Sequence, residues 1–263
     1  MRELAVVIQN ENEPVNAIET INSIKKAGFE NVFIQWYDDE KWEISQKEQL
    51  DLCKKLNLNI IFAHLGYQKI NSIWFDGEEG EGLVEQYKND IRVCAENGIK
   101  LVMMHLVSNK NAPMYNEIGL NRFKQITDYA RELGVRVAFE NTKLKGYLEY
   151  ILGNITDEHV GLCFDAGHFH VHFDDIFDFD FFKNRIFAVH LHDNDKSDDQ
   201  HLLPFDGTID WKYVIKKLKD ANYNGPITLE LCYRRGYNKM ILDDFYKIAY
   251  ERGIKLAEIM EEV

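Results

Sequence analysis

Cysteine is scarce in this sequence. It has four cysteines among 263 residues. They are Cys53, Cys94, Cys163 and Cys232, and no two of them form a CxxC pair. This spacing excludes a disulfide-rich scaffold and a paired-cysteine metal motif, and it predicts reduced thiols in a cytoplasmic protein.

Long hydrophobic runs and excess basic charge are also missing. The N-terminal apolar run, Leu4–Ile8, is too short for a signal peptide, and no run approaches the ~20 residues of a membrane span. Acidic residues outnumber basic ones by 44 to 31, for a formal net charge of −13. Such a charge repels nucleic acid and anionic membranes, so neither is an expected partner. No GxGxxG or GxxxxGK[ST] motif is present, which removes the common nucleotide-binding fingerprints.

What the sequence does contain is an alternation of strand-like and helix-like stretches. The predicted strands are Leu4–Gln9, Asn31–Trp36, Leu58–His64, Ile99–His105, Val135–Glu140, Val160–Asp165, Ile186–His192 and Pro226–Glu230. The predicted helices are Pro14–Ala27, Ser45–Leu56, Glu81–Glu96, Tyr115–Leu133, a short one ending near Leu152, an ambiguous one in Asp174–Asn184, Trp211–Ala221 and Asn238–Glu262. Repeated strand–helix units favour a parallel α/β fold, a single (β/α)8 TIM barrel formed by one domain over residues 1–263. An open doubly wound sheet is the alternative, although it normally has fewer units.

Polar side chains end six consecutive strands, from the third to the eighth. They are His64, His105, Glu140, Asp165, His192 and Glu230. Because alternate residues of a strand share a face, Glu140 and Glu230 are expected to point toward the barrel axis. The same alternation turns His190 and His192 inward, with His192 nearer the mouth. In a parallel barrel these groups meet at the C-terminal mouth, where active sites form.

Three of these groups are carboxylates, Glu140, Asp165 and Glu230. In a mostly apolar cup they should not all ionise unless a cation binds or protons are taken up. A divalent metal is the simplest solution, with His192 as the fourth ligand. An oxygen-rich set with one imidazole suits Mn²⁺, Mg²⁺ or Co²⁺, and Zn²⁺ stays open. Each residue alone also fits an ion pair, a helix cap or a hydrogen-bonded core position, so the joint pattern carries the metal hypothesis.

Several short motifs together resemble a known family. They are AHLGY (63–67), MMH (103–105), AFEN (138–141), FDAGHFH (164–170), HLHDND (190–195), DQHLLPFDGTIDW (199–211) and TLEL (228–231). In this order they are similar to the xylose isomerase-like TIM barrels, which include sugar-phosphate isomerases and epimerases, tagatose- and psicose-type 3-epimerases, inosose dehydratase and endonuclease IV. The metal ligands that the resemblance implies are Glu140, Asp165, His192 and Glu230. It also implies a substrate-side or extra-metal role for His168 and a supporting role for His190.

One segment departs from the family pattern. At 205–207 this chain has Phe-Asp-Gly, where relatives often have Gly-Glu-Gly. Because this loop borders the expected site, the substrate of any one relative does not carry over.

Three reactions fit the resemblance. In a metal-dependent sugar or sugar-phosphate isomerase or epimerase, Glu140 and Glu230 would exchange a proton through an enediolate, and His168 would hydrogen-bond the oxyanion. In an endonuclease IV-like phosphodiesterase, the residues that match additional zinc ligands are His64, His105, His168, Asp199 and His201. An inosose dehydratase-like lyase would use the same metal and lose a hydroxyl group. The negative net charge favours the isomerase or epimerase over the nuclease.

The expected partner is therefore a small sugar or sugar phosphate, with no membrane, and assembly into a homo-oligomer stays open. Its hydroxyl groups are expected to meet His64, His105 and His201. Trp36 is a candidate for stacking on the sugar face, although a core position is the commoner role for such an aromatic. Arg234 follows the eighth strand, where barrels often bind phosphate.

The segment Gly66–Gly82 is long for the connection between a strand and a helix. Its apolar tip, Trp74 and Phe75, and its glycines predict a lid that excludes water during the reaction. A packed surface loop fits the same residues equally well.

Overall fold

The computed structural model describes residues 2–8, 17–36, 44–108, 111–173 and 176–263. In these residues, parallel strands alternate with α-helices and curve into a nearly closed (β/α)8 barrel, as the alternation predicted. The strands are β1 (Leu4–Ile8), β2 (Asn31–Trp36), β3 (Asn59–Leu65), β4 (Leu101–Met104), β5 (Arg136–Glu140), β6 (Val160–Asp165), β7 (Ile186–His190) and β8 (Ile227–Leu229). The helices are α1 (Ala17–Ala27), α2 (Gln46–Lys55), α3 (Glu78–Glu96), α4 (Glu117–Glu132), α5 (Tyr147–Asn154), α6 (Ala166–His172), α7 (Trp211–Asp220) and α8 (Leu242–Glu262).

The sheet runs in the order β7-β6-β5-β4-β3-β2-β1-β8 with parallel pairing. Leu191 joins the two ends of the sheet. Its N–H donates to the Thr228 carbonyl at 2.9 Å, and the Glu230 N–H donates to the Leu191 carbonyl at 3.3 Å. Since the strands are parallel, their C-terminal ends share one rim, which we call the mouth. In the part of the chain that the structure describes, no helix is both long and hydrophobic enough to cross a lipid bilayer.

Alternation along the strands divides the apolar residues between two cores. A small inner core fills the barrel below the mouth and consists of Val7, Phe33, Phe62, Met103, Ala138, Cys163 and Ala188. The neighbouring residues Val32 and Ile34 belong to the larger outer core between strands and helices. Trp36 continues this outer row and is only 6% exposed. The structure thus supports a packing role for Trp36 and gives no support to the predicted stacking on a sugar.

Helix ends follow local sequence rules. At the start of α2, Ser45 accepts a hydrogen bond from the Glu48 N–H, and the Glu48 carboxylate accepts one from the Ser45 N–H, so that the two residues form a capping box. Gly134 follows α4 with a φ of +65°, a left-handed conformation that glycine adopts without steric cost. The predicted start of the first helix at Pro14 lies outside the described residues.

The helix after β6 begins earlier than predicted. The sequence pattern favoured a short helix within Asp174–Asn184, whereas α6 occupies Ala166–His172 and residues 176–184 form no helix. The reason is local, because the Asp165 carboxylate accepts the His168 N–H at 2.6 Å and caps the helix at the end of the strand. Residues 174–175 lie outside the described part of the chain.

The segment predicted as a lid contains a 3₁₀ helix, Ile70–Trp74. Trp74 is 1% exposed, and its Nε1–H donates to the Leu106 carbonyl at 2.8 Å. Phe75, in contrast, is 52% exposed. Because the indole is part of the core, the structure favours the packed-loop alternative for this half of the segment.

Candidate active site

Three strands bring carboxylates to the mouth. Glu140 is the last residue of β5 and Asp165 the last of β6, while Glu230 comes directly after β8. The register pairs Asp165 with His190 on β7. All three carboxylates are buried, with at most 4% exposure. Their convergence at one rim is the arrangement that the strand ends predicted.

The central group consists of Glu140, Asp165, His190 and Glu230, and one potential ligand atom from each lies within 4.8 Å of the others. His190 Nδ1 is 3.4 Å from Glu140 Oε1, 3.3 Å from Glu230 Oε2 and 3.8 Å from Asp165 Oδ2. The imidazole also stacks on Phe33 of the inner core, with 5.1 Å between ring centroids. The group is therefore three carboxylates and one imidazole on an apolar floor.

The imidazole of this central group belongs to His190, whereas the sequence assigned the fourth ligand to His192. Nε2 of His192 lies 3.1 Å from Asp165 Oδ2 and 3.6 Å from Asp199 Oδ1. Its ring stacks on His201 with 4.0 Å between centroids and 13° between planes. One ligand atom each from His192, His201 and Glu230 also lies within 4.8 Å of the others, so these residues form a further set that could hold an ion. The ligand role of His192 thus stays a prediction, and His190 is a second candidate for the imidazole ligand.

One side of the central group, which we call the β3–β4 side, adds His64 and His105. His105 Nε2 lies 2.9 Å and His64 Nε2 3.7 Å from the same oxygen, Glu140 Oε2. These two imidazoles and Glu140 form a second set that could hold an ion. Tyr67 covers the set by stacking on His105, with 4.1 Å between centroids and 15° between planes.

The opposite side, which we call the loop side, consists of His168, Asp199 and His201. Asp199 Oδ2 lies 3.3 Å from His168 Nε2 and 3.0 Å from His201 Nε2. His168 Nδ1 in turn lies 3.2 Å from Glu140 Oε1, which connects this side to the central group. A nitrogen of His201 is also close to a Glu230 oxygen, at 3.7 Å. The predicted additional residues thus meet on two sides of the central group.

Neighbouring imidazoles keep Glu140 and Glu230 ionised. Burial alone would raise the pKa of Glu140, but the charges of His105 and His190 outweigh it and hold this pKa well below its usual range. Burial likewise opposes ionisation of Glu230, yet the charge of His190, whose Nδ1 is 3.3 Å from Glu230 Oε2, lowers the Glu230 pKa. Both carboxylates are therefore anionic near neutral pH.

The histidines divide into two electrostatic classes. Burial lowers the pKa of His64 to about 4, so this imidazole is neutral and has a free lone pair. Burial also acts against charge on His201, but the Asp199 carboxylate prevails and raises the His201 pKa to about 9. The same opposition raises the pKa of His168 well above its usual value, through the charges of Asp165 and Asp199. The loop side therefore carries two protonated imidazoles, His168 and His201, beside the Asp199 carboxylate.

Several buried atoms of the site have no hydrogen-bond partner among the described residues. They are Glu140 Oε2, both ring nitrogens of His190, Nδ1 of His168, Nδ1 of His192 and Oδ1 of Asp199. Buried polar atoms are nearly always satisfied in native proteins. A divalent cation coordinated by the carboxylate oxygens and an imidazole would satisfy the central atoms, so the residues present fit a metal.

Sequence reasoning missed Tyr67, although its place in AHLGY, just after β3, was a usable signal. Arg234 is half-buried in the turn after β8, and its contact with a phosphate stays a prediction. The next residue, Arg235, lines a pocket of about 350 Å³ beside the loop side. The other residues lining that pocket are Asp198, Gln200, Leu202 and Gly236.

The chain belongs to the xylose isomerase-like TIM barrel family, whose model matches residues 21–253. This match covers every strand from β2 to β8 and all the site residues described above. The fold is thus that of a known class of barrels.

Individual relatives are distant. The uncharacterized protein y4fM of Sinorhizobium fredii is 27% identical over 195 residues, which is 67% of this chain and 61% of that relative. Inosose isomerase of Bacillus velezensis is 23% identical over 265 residues, covering 91% of both chains. A solved L-ribulose 3-epimerase superposes with a TM-score of 0.79 at 14% identity, over 100% of this chain and 97% of that chain. A D-tagatose 3-epimerase-like protein gives 0.78 at 21%, over 100% and 99%. At these identities the superpositions establish the fold.

Proposed function

We propose that this protein is a divalent-metal-dependent sugar or sugar-phosphate isomerase or epimerase. The observation that carries the proposal is the central group, in which Glu140, Asp165, Glu230 and His190 converge with ligand atoms within 4.8 Å of one another. Relatives named inosose isomerase and structural neighbours named as sugar 3-epimerases support the same substrate class. The fold alone would not, because barrels of this kind host many reactions.

The central group would hold the metal. Its oxygen-rich donor set with one imidazole suits Mn²⁺, Mg²⁺ or Co²⁺, and Zn²⁺ is compatible. When bound, such an ion acts as a Lewis acid that polarises a ketose carbonyl and acidifies the adjacent C–H. His190 is the candidate imidazole ligand by its distances to the carboxylates, and His192, which the sequence predicted as the ligand, is the alternative.

Two carboxylates are suited to proton transfer. Glu140 enters the site from β5 and Glu230 from the end of β8, so they approach a substrate in the mouth from different directions. Both are ionised, which is the state that a general base needs. We assign one to removal of the proton next to the carbonyl and the other to its return through an enediolate. His168 carries a proton in its ion pairs with the carboxylates and is placed to hydrogen-bond the developing oxyanion.

The test is solvent isotope incorporation. A panel of ketoses and inososes, free and phosphorylated, is incubated in D₂O with the metal-loaded protein, and product deuterium is read by NMR. We expect deuterium at the carbon next to the carbonyl of a true substrate. Glu140→Gln and Glu230→Gln should each lower kcat by about 10²–10⁴-fold, whereas Glu158→Gln, at an exposed turn, should match the parent protein.

Turnover without deuterium incorporation would contradict proton transfer. Loss of a hydroxyl in the product would instead indicate a lyase of the inosose dehydratase type, which could use the same residues. The product spectrum separates these outcomes in the same experiment.

A second candidate function is a phosphodiesterase that uses several metals. The specific observation in its favour is that the β3–β4 side and the loop side add imidazoles and a carboxylate on either side of the central group. Several metal ions could activate water and neutralise a phosphate. The net charge of −13 weighs against a nucleic-acid substrate. Elemental analysis discriminates, since about three zinc ions per chain would favour this candidate and one Mn²⁺ or Mg²⁺ the isomerase.

A further inference from the structure

We propose that Asp193 is a positioning residue that fixes the segment Asp193–Trp211 and so sets where Asp199 and His201 stand beside the central group. The effect on metal binding rests on the proposed function. The anchoring itself does not, because it follows from contacts within the chain.

Asp193 is completely buried and accepts hydrogen bonds from both ends of this segment. Its Oδ1 accepts the N–H of Asn194 at 2.9 Å and that of Ile209 at 3.1 Å. Its Oδ2 accepts the Phe205 N–H and the Trp211 Nε1–H, both at 2.9 Å. One carboxylate thus ties together residues that are 12, 16 and 18 positions away along the chain.

The main chain of Asp193 reinforces this anchor. Its N–H donates to the Leu202 carbonyl and its carbonyl accepts the Leu202 N–H, both at 2.8 Å. Residues 194–201 therefore form a loop whose two ends are held together by these hydrogen bonds between Asp193 and Leu202. Asp199 and His201 lie on this loop, so Asp199 could not keep its distance to His168, nor His201 its distance to Glu230, if the ends of the loop moved.

The segment also contains conformations that need an external restraint. His201 has a φ of +50° and Phe205 a φ of +74°, and such left-handed conformations are unfavourable for residues with a Cβ. At Phe205 the hydrogen bond from its N–H to Asp193 holds a residue that lacks the conformational freedom of glycine. At Gly207 a Cβ would lie 2.3 Å from Asp193 Oδ1, so the carboxylate fills the space inside the loop.

A second anchor lies on the outer surface of the same segment. Asp206 accepts the Tyr237 hydroxyl at 2.8 Å and pairs with Arg252 at 3.2 Å. Its side chain is 34% exposed, and exposed ion pairs contribute little to stability. The buried anchor should therefore determine the loop position, and Asp206 provides a matched control with the same substitution in the same segment.

Asp193→Asn removes the negative charge and one acceptor oxygen while it keeps the size of the side chain nearly unchanged. An amide offers one acceptor oxygen, and its NH₂ would face two N–H donors that now donate to a carboxylate oxygen. Leaving buried donors unsatisfied is costly. In the metal-free protein we expect amide hydrogen exchange at Phe205 and Ile209 to accelerate by roughly tenfold or more, with β5 and β6 unchanged. Asp206→Asn should leave both rates within about twofold.

The positioning role has its own readout in the imidazole of His201. NMR of the ring nitrogens in the metal-free protein should show Asp193→Asn shifting the His201 signals toward those of a free imidazole, since its contacts with Asp199 and the Glu230 carbonyl, each 3.0 Å, would be lost. His64 signals should not move. In a Co²⁺ titration followed by visible absorption, Asp193→Asn should weaken the binding step that His201→Ala abolishes. The double variant should be no worse than His201→Ala alone.

If amide hydrogen exchange at Phe205 and Ile209 were unchanged in Asp193→Asn, Asp193 would not be what fixes the segment. Faster exchange with unshifted His201 signals would overturn the positioning role. If the parent protein bound no Co²⁺, Mn²⁺ or Zn²⁺, the proposed metal-dependent function would fail, while the exchange and imidazole measurements would still decide the role of Asp193.

Discussion

At the scale of single residues, the absence of a side chain at Gly167 leaves the space that the His192 ring occupies. A Cβ added there would lie 1.8 Å from His192 Cε1, far inside van der Waals contact. We predict that Gly167→Ala displaces the His192 ring, breaks its stack on His201 and destabilises the protein by about 1–3 kcal/mol. Urea unfolding gives the free energy, and turnover should fall as well.

Gly82 is the matched control for this substitution. It is an exposed residue of α3, and a Cβ there meets nothing within 4 Å. Gly82→Ala should be neutral or stabilising by about 0.5–1 kcal/mol, because alanine loses less backbone entropy in a helix. If both alanines behaved alike, the contact between Gly167 and His192 would not be limiting.

The four cysteines allow a labelling experiment that tests whether burial keeps their thiols unreactive. All are buried and free, and burial raises the pKa of Cys53 to about 12. A raised pKa leaves the thiol protonated at about pH 8, and the thiolate is the reactive species. We expect iodoacetamide to label no cysteine in the native protein at that pH and all four after denaturation, as read by mass spectrometry. Fast labelling of the native protein would contradict the burial.

At the scale of elements, most strands and helices were predicted within a few residues because hydrophobic alternation and caps are local signals. The errors have a common origin in tertiary contacts. Helix α6 begins at Ala166 because Asp165 caps it, and the 3₁₀ helix Ile70–Trp74 exists because the Trp74 indole enters the core. Neither contact can be read from periodicity.

The guanidinium of Arg122 holds that 3₁₀ segment in place. Arg122 is 2% exposed and donates to the carbonyls of Ile73 at 3.2 Å and Gly77 at 3.1 Å, and it pairs with Glu81 at 2.7 Å. We predict that Arg122→Ala costs about 2–4 kcal/mol, since several charge-assisted bonds are lost at once. Hydrogen exchange should accelerate in residues 70–81 first.

Arg122→Lys should rescue only part of this stability, because a lysine keeps the charge but lacks the planar fork. Arg92→Ala is the surface control, since Arg92 pairs with Glu96 one turn away in α3, and it should cost about 0–0.5 kcal/mol. Equal losses for Arg92→Ala and Arg122→Ala would show that the buried bonds do not hold the segment.

At the scale of the whole molecule, the sequence predicted the barrel and the convergence of Glu140, Asp165 and Glu230, because strand ends of a parallel barrel must meet. Alternation turns both His190 and His192 inward, and the sequence favoured His192 as the ligand through its place nearer the mouth and through the family resemblance. The choice depends on the register between strands, which sets His190 beside Asp165, and on the stacking of His192 with His201. Both are relations between distant segments, so one strand's sequence does not contain them.

The proposed metal site predicts that global stability depends on metal. Three buried carboxylates share one centre with His190, and in this group Glu140 Oε2 and both ring nitrogens of His190 have no hydrogen-bond partner within the described part of the chain. A ligand that binds only the folded state at about 100 times its Kd stabilises it by about 2.7 kcal/mol, which in a chain of this size raises Tm by roughly 5–10 °C. We therefore expect EDTA to lower Tm by about this amount, and Mn²⁺ or Co²⁺ to restore it. Glu140→Gln should abolish the metal-dependent shift in Tm, and the surface control Glu158→Gln should retain it. A Tm that changes with neither chelator nor added metal would contradict a resident ion in the central group.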